Sequence, residues 1–135
     1  MTILKEKHQL NIEAADLLIK NSNFAPSIHC NYYSHFQYIK YILNQKFGIS
    51  YDDQASKVEM TKGGSHIVIK NLFYEQLRSL NVKEKQITDF NKKHERLKSL
   101  RTRADYKNEK IGLRLAQKSE KLRIELINTI DNECK

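Results

Sequence analysis

His94-Glu95-Arg96-Leu97-Lys98-Ser99-Leu100-Arg101-Thr102-Arg103-Ala104-Asp105-Tyr106 is the stretch on which the reading of this chain turns. At about 100° per residue, Phe90, Leu97, Leu100 and Ala104 fall on one apolar stripe of a helix, with His94 and Arg101 along its edge. Asp105 follows Arg101 by four residues, which sets a carboxylate beside a guanidinium on the same face. Polar groups at the rim of a packed face must be paired or solvated, so this edge is either a candidate site or an ordinary ion pair on a bundle helix.

The helical period extends in both directions from there. The spacing predicts a first helix over about 3–21, with Leu4, Ala15, Leu18 and Ile19 facing inward and His8 at the edge of the packed face. Asn21-Ser22-Asn23 breaks it, and Pro26 sits in the first turn of a second helix reaching about Gln45. Ile28, Tyr32, Ile39 and Leu43 share a narrow arc of that helix, with Phe36 and Ile42 beside them and His35 inside the arc as a core histidine needing a partner. Tyr33, Tyr41 and Cys30 occupy the opposite side, so this helix is either central to a bundle or covered by a second subunit.

Residues 47–64 read as a long irregular connection, in which Asp52-Asp53 is a candidate cap for one or two turns through Met60. A third helix follows over about 65–81 with a face of Ile69, Phe73, Leu77 and Leu80, and His66 at its first turn. The fourth runs from about Lys83 to Tyr106. The fifth, from about Asn108 to Asp131, carries one stripe of Ile111, Leu115, Leu122 and Leu126 and a second of Leu113, Ile124 and Ile127. The expected architecture is all-α: a single domain over residues 1–135, folded as an up-and-down bundle of four or five helices.

Composition narrows the chemistry. With only 4 glycines and 1 proline in 135 residues, strands divided by turns are not expected. No apolar run has the length of a membrane span and the first residues do not resemble a signal peptide, so a cytoplasmic protein without membrane contact is expected. Cys30 and Cys134 stand far apart, and the five histidines form no HExxH or Cys/His cluster. No metal site and no cofactor are expected, and Gly63-Gly64 alone is no phosphate loop. The net charge of +8 is concentrated late: residues 83–125 hold 14 Lys/Arg against 7 Asp/Glu. A basic surface of that kind favours polyanions, RNA first among them, and makes Arg96, Lys98, Arg103, Lys107 and Lys110 candidate phosphate contacts.

Three segments, in order, resemble the HEPN-domain proteins, in particular their small stand-alone prokaryotic branch. Ala14-Ala15-Asp16-Leu17-Leu18 followed by Ser27 to Phe36 is similar to the family's "YYA-x-F" helix, with Ser34 in place of the alanine and His35 at the variable position. Ser65-His66-Ile67-Val68-Ile69 with Phe73 is similar to "sH-x-x-vi-x-x-x-F", and Arg101 to Tyr106 to an "R-x-x-ADY" ending. The resemblance covers about Ala14 to Tyr106. It implies a helical bundle that is frequently a homodimer, and a place among RNA-directed defence or toxin–antitoxin proteins.

Many members of that family are metal-independent ribonucleases built on an arginine, four to six intervening residues, and then a histidine. Here Tyr106 stands where that histidine would fall, and none occurs after His94. A phenol with a pKa near 10 is a poor base at neutral pH. His94 precedes Arg101 by two helical turns, about 10 Å along the axis. The candidate catalytic residues are therefore Arg101, His94 and Tyr106, in a ribonuclease with a degenerate motif. The alternative is a non-catalytic module that partners a small nucleotidyltransferase, an antitoxin or another protein, with Tyr106 as a candidate for modification.

Overall fold

A computed structural model describes residues 2–135. The described residues form an all-α bundle of six helices: α1 (Ile3–Lys20), α2 (Phe24–Gln45), α3 (Tyr51–Met60), α4 (Ser65–Ser79), α5 (Glu84–Tyr106) and α6 (Leu113–Glu133). Side-chain pairs fix their directions. His29 meets Asp105 and His35 meets His94, so α2 and α5 are antiparallel. Lys70–Glu95 and Tyr74–Asn91 set α4 antiparallel to α5. Asn31–Ser119 and Tyr38–Asp131 make α2 and α6 parallel.

α2 is the centre and packs against all five other helices. Ile28, Tyr32, Ile39 and Leu43 are fully buried, and Phe36 and Ile42 nearly so, as their common arc predicts. They join Phe73 and Leu77 of α4, Phe90, Leu97 and Leu100 of α5, and Leu122, Leu126 and Ile130 of α6 in one core. Tyr33 and Tyr41 on the other side are half-buried within a single chain: Tyr33 packs against His29 and Phe36, and Tyr41 stacks on Tyr38. Within one chain this aromatic side also meets α1 through Lys5 on Tyr41, and α4 and α5 through His66 and Arg101 on Tyr33.

The connection between α2 and α4 differs from expectation. Residues 51–60 form a helix because the Ser50 hydroxyl accepts from the Asp53 amide at 3.0 Å, an N-cap two residues ahead of the Asp52-Asp53 pair. Gln54 is its one buried residue, and its amide nitrogen donates to the carbonyls of Lys40 and Ile49. A helix anchored by an amide leaves no apolar stripe to read, which is why the period missed it.

α6 begins five residues later than its stripe suggests. Residues 107–112 run outside any helix, Arg103 reaches Glu109 at 2.6 Å, and Gly112 precedes the first turn. Of the two α6 stripes only one is core, since Leu113 and Ile124 are exposed. α1 and α4 end with Ser22 and Asn81 at φ 60 and 63, and Asn23 N–H and Val82 N–H reach back to the carbonyls of Leu18 and Leu77. These closing turns usually hold glycine; here Ser and Asn tolerate the left-handed backbone. No helix among the described residues is long and apolar enough to cross a membrane.

Candidate functional site

α2 and α5 bring the site together. His29, Tyr32, Tyr33 and Phe36 follow the i, i+3, i+4, i+7 spacing of one helix face, and antiparallel packing lays that face along Arg101, Asp105 and Tyr106. Arg101 does not lie at an edge: it is only 6% exposed, with its guanidinium carbon 5.1 Å from the Tyr32 ring, 5.6 Å from Tyr33 and 5.6 Å from Tyr106. Aromatic faces attract a cation but do not accept its hydrogen bonds as an anion does.

The hydrogen-bond count of Arg101 is correspondingly poor. Nη1 donates to the Tyr106 hydroxyl at 3.4 Å and lies 3.8 Å from Asp105. Nε is buried without a partner, whereas Nη2, also unpartnered among the described residues, is not sealed from solvent. A nearly desolvated guanidinium with so few acceptors is poised for an incoming anion.

His66 enters from α4. Its Nδ1 is 2.6 Å from the Tyr32 hydroxyl, and its ring stacks on Phe36 at 4.5 Å. Burial, with Arg101 and Lys98 nearby, lowers its pKa to about 4, so it is neutral at pH 7. Burial pushes the Tyr32 phenol well up, and it stays protonated. The phenol has no other partner among the described residues, which assigns its proton to the bond with Nδ1 and leaves His66 Nε2 as an N–H donor facing solvent.

His94 occupies a different environment. It is fully buried, with Nδ1 2.9 Å from His35 Nε2, and burial lowers its pKa to about 4 and that of His35 well below the ordinary value. The outer nitrogens of the pair, His35 Nδ1 and His94 Nε2, have no partner among the described residues. His94 therefore faces the core, away from any substrate, because the Tyr32 and His35 side of α2 covers that part of α5. His8 is likewise inside: its Nδ1 donates to the Ser34 carbonyl at 2.8 Å and its ring stacks on Tyr38.

Beyond Asp105 a groove of ≈ 470 Å³ opens between the start of α2 and the end of α5, lined by Ala25, Pro26, His29, Cys30, Ala104, Asp105 and Tyr106. Its volume is in the range of small-ligand sites. Tyr106 is 72% exposed at the rim. His29 Nδ1 donates to Asp105 Oδ2 at 2.8 Å, a pairing between residues 76 apart.

The basic candidates divide. Lys98 is half-buried close enough to His66 to lower its pKa. Arg96 and Arg103 lie roughly 200–220° round α5 from Arg101, and Arg103 is paired with Glu109. Lys107 and Lys110 are exposed on the chain just after Tyr106. Arg123, part of the basic excess, is buried: its Nε donates to Asn31 Oδ1 at 2.9 Å, and Asn31 in turn donates to Ser119. Among the described residues no three His, Cys, Asp or Glu side chains are placed to hold a metal ion.

The sequence alone missed His29 and the Tyr32–His66 contact. The spacing that groups His29, Tyr32, Tyr33 and Phe36 was there to be read; that this face meets Arg101 depends on packing that no single helix states. Comparison with models of protein families, with curated proteins and with solved structures finds no match to this chain.

Proposed function

We propose that the protein acts on RNA as a metal-independent ribonuclease-like protein of the HEPN kind, in a prokaryotic defence or toxin–antitoxin setting. The observation that supports this reading most is Arg101, a nearly buried guanidinium with few acceptors, whose Nη2 is not sealed from solvent and whose neighbour Asp105 lines a groove. A phosphodiester supplies the missing acceptors, and the neutral His66 N–H adds a donor that costs no buried charge. Lys98, Lys107 and Lys110 extend the positive surface along an RNA backbone.

The test is cleavage and binding of a labelled single-stranded RNA in EDTA. Cutting should persist without metal and fall by about 100-fold or more in Arg101→Lys, which keeps the charge but loses the planar fork. Affinity should drop steeply as salt rises. A wild type that neither binds nor cuts RNA refutes the reading.

One observation favours a second reading, a non-catalytic module that partners a small nucleotidyltransferase. Tyr106 projects from the end of α5 with its hydroxyl beside Arg101, accessible to a modifying enzyme. Mass spectrometry of the protein co-expressed with its neighbouring gene should then find a nucleotide on Tyr106. An unmodified Tyr106 removes this reading.

A further inference from the structure

We infer that His29, held by Asp105, is the proton acceptor of the Arg101 site, and that the adjoining groove seats the ribonucleoside whose 2′-hydroxyl attacks. The inference rests on Arg101 as the phosphate-binding residue. A base for a ribose hydroxyl must offer a nitrogen lone pair that substrate can reach. Four of the five histidines do not. His8 is buried on a backbone carbonyl, His35 and His94 face one another out of solvent, and His66 presents its hydrogen-bearing nitrogen.

His29 differs in each respect. A carboxylate can only accept, so Asp105 fixes the hydrogen of His29 on Nδ1 and leaves the Nε2 lone pair free. The His29 side chain is 46% exposed and lines the groove, while that of Asp105 is 19% exposed. The same Asp105 oxygen lies 3.8 Å from Arg101 Nη1, and both His29 and Arg101 pack on Tyr33, at 4.6 and 5.6 Å. A phosphate on Arg101 therefore brings its 3′-linked ribose toward His29. The exposed Tyr106 ring at the groove rim offers a face on which a base can stack.

The step balances with these groups. The 2′-oxygen forms its bond to phosphorus as the phosphorus–O5′ bond breaks, and the 2′-proton passes to His29 Nε2. The departing 5′-oxygen takes a proton from water in the open groove, and the hydroxide so formed reclaims the proton from His29. The products are a 2′,3′-cyclic phosphate and a 5′-hydroxyl end. Asp105 is a positioning residue, since it acts only through the imidazole.

The wild type and His29→Ala are compared on single-stranded RNA in EDTA, with circular dichroism confirming that both are folded. His29→Ala should lose about 100-fold or more in kcat, the scale of general-base catalysis, and added imidazole should restore at least about tenfold of it. Cleavage should leave cyclic phosphate ends and spare a 2′-deoxy linkage. For Asp105, long-range 1H–15N correlation above neutral pH should show His29 as the Nδ1–H tautomer in the wild type and lose that preference in Asp105→Asn. RNA cut at the wild-type rate by His29→Ala, a folded variant that imidazole does not rescue, or an Nε2–H tautomer in the wild type overturns the role of His29 and leaves the Arg101 reading standing. A wild type that binds RNA but cuts none overturns the role of His29 and leaves Arg101 as a phosphate-binding residue, whereas one that neither binds nor cuts removes both.

Discussion

His35 and His94 face each other at 2.9 Å in a space closed to solvent, and neither outer nitrogen has a partner among the described residues. Charging either ring there would be costly, so the native state keeps both neutral. A depressed pKa in the folded chain means that the unfolded chain binds protons first as pH falls. The stability this pair supports is therefore intact above pH 6.5 and lost as pH drops toward 4. At pH 5, His94 alone should account for about 2 kcal/mol of lost stability. Urea unfolding at pH 7.5 and pH 5 measures it, and in His94→Leu the difference should shrink by that amount. An unchanged difference would mean that His94 is protonated at little cost. Sequence placed His94 and Arg101 correctly on the helix beside Leu97, but at its rim; only the neighbouring α2 rings turn that rim into interior.

At the scale of the elements, what could be read depended on what holds each helix. α2, α4 and α5 are held by apolar side chains at helical spacing, and their extents follow the sequence to within a few residues. α3 is held by Gln54 on two backbone carbonyls, a device without hydropathy. Gln54→Ala should consequently cost about 1–3 kcal/mol, since it strips the carbonyls of Lys40 and Ile49 of that donor. Hydrogen exchange should show the loss concentrated in residues 51–60, and a uniform loss across the bundle would contradict it. In α2, Tyr32→Ala removes a fully buried ring and the hydroxyl that orients His66, and should destabilise by about 3–5 kcal/mol in chemical denaturation. A loss under about 1 kcal/mol would place the core elsewhere.

For the molecule as a whole, the all-helical architecture was legible because a consistent 3.6-residue period runs through nearly all of it. The pairing of distant faces was not. His29 with Asp105 and Tyr32 with His66 join residues 76 and 34 apart, and no local pattern encodes such distances. The same long reach has a consequence for how the chain acquires its shape. Asn31 and Tyr38 of the central helix, and Lys46 just past its end, are bonded to Ser119, Asp131 and the Lys135 carbonyl, 88, 93 and 89 residues onward. While the chain emerges from a ribosome, α2 is made early and must wait for α6 before that side is covered. A nascent chain stopped after residue 112 should accordingly be helical yet loosely packed, binding a hydrophobic dye that the full chain excludes. The last helix acts as a latch, and until it closes the central helix is the surface that a chaperone would meet.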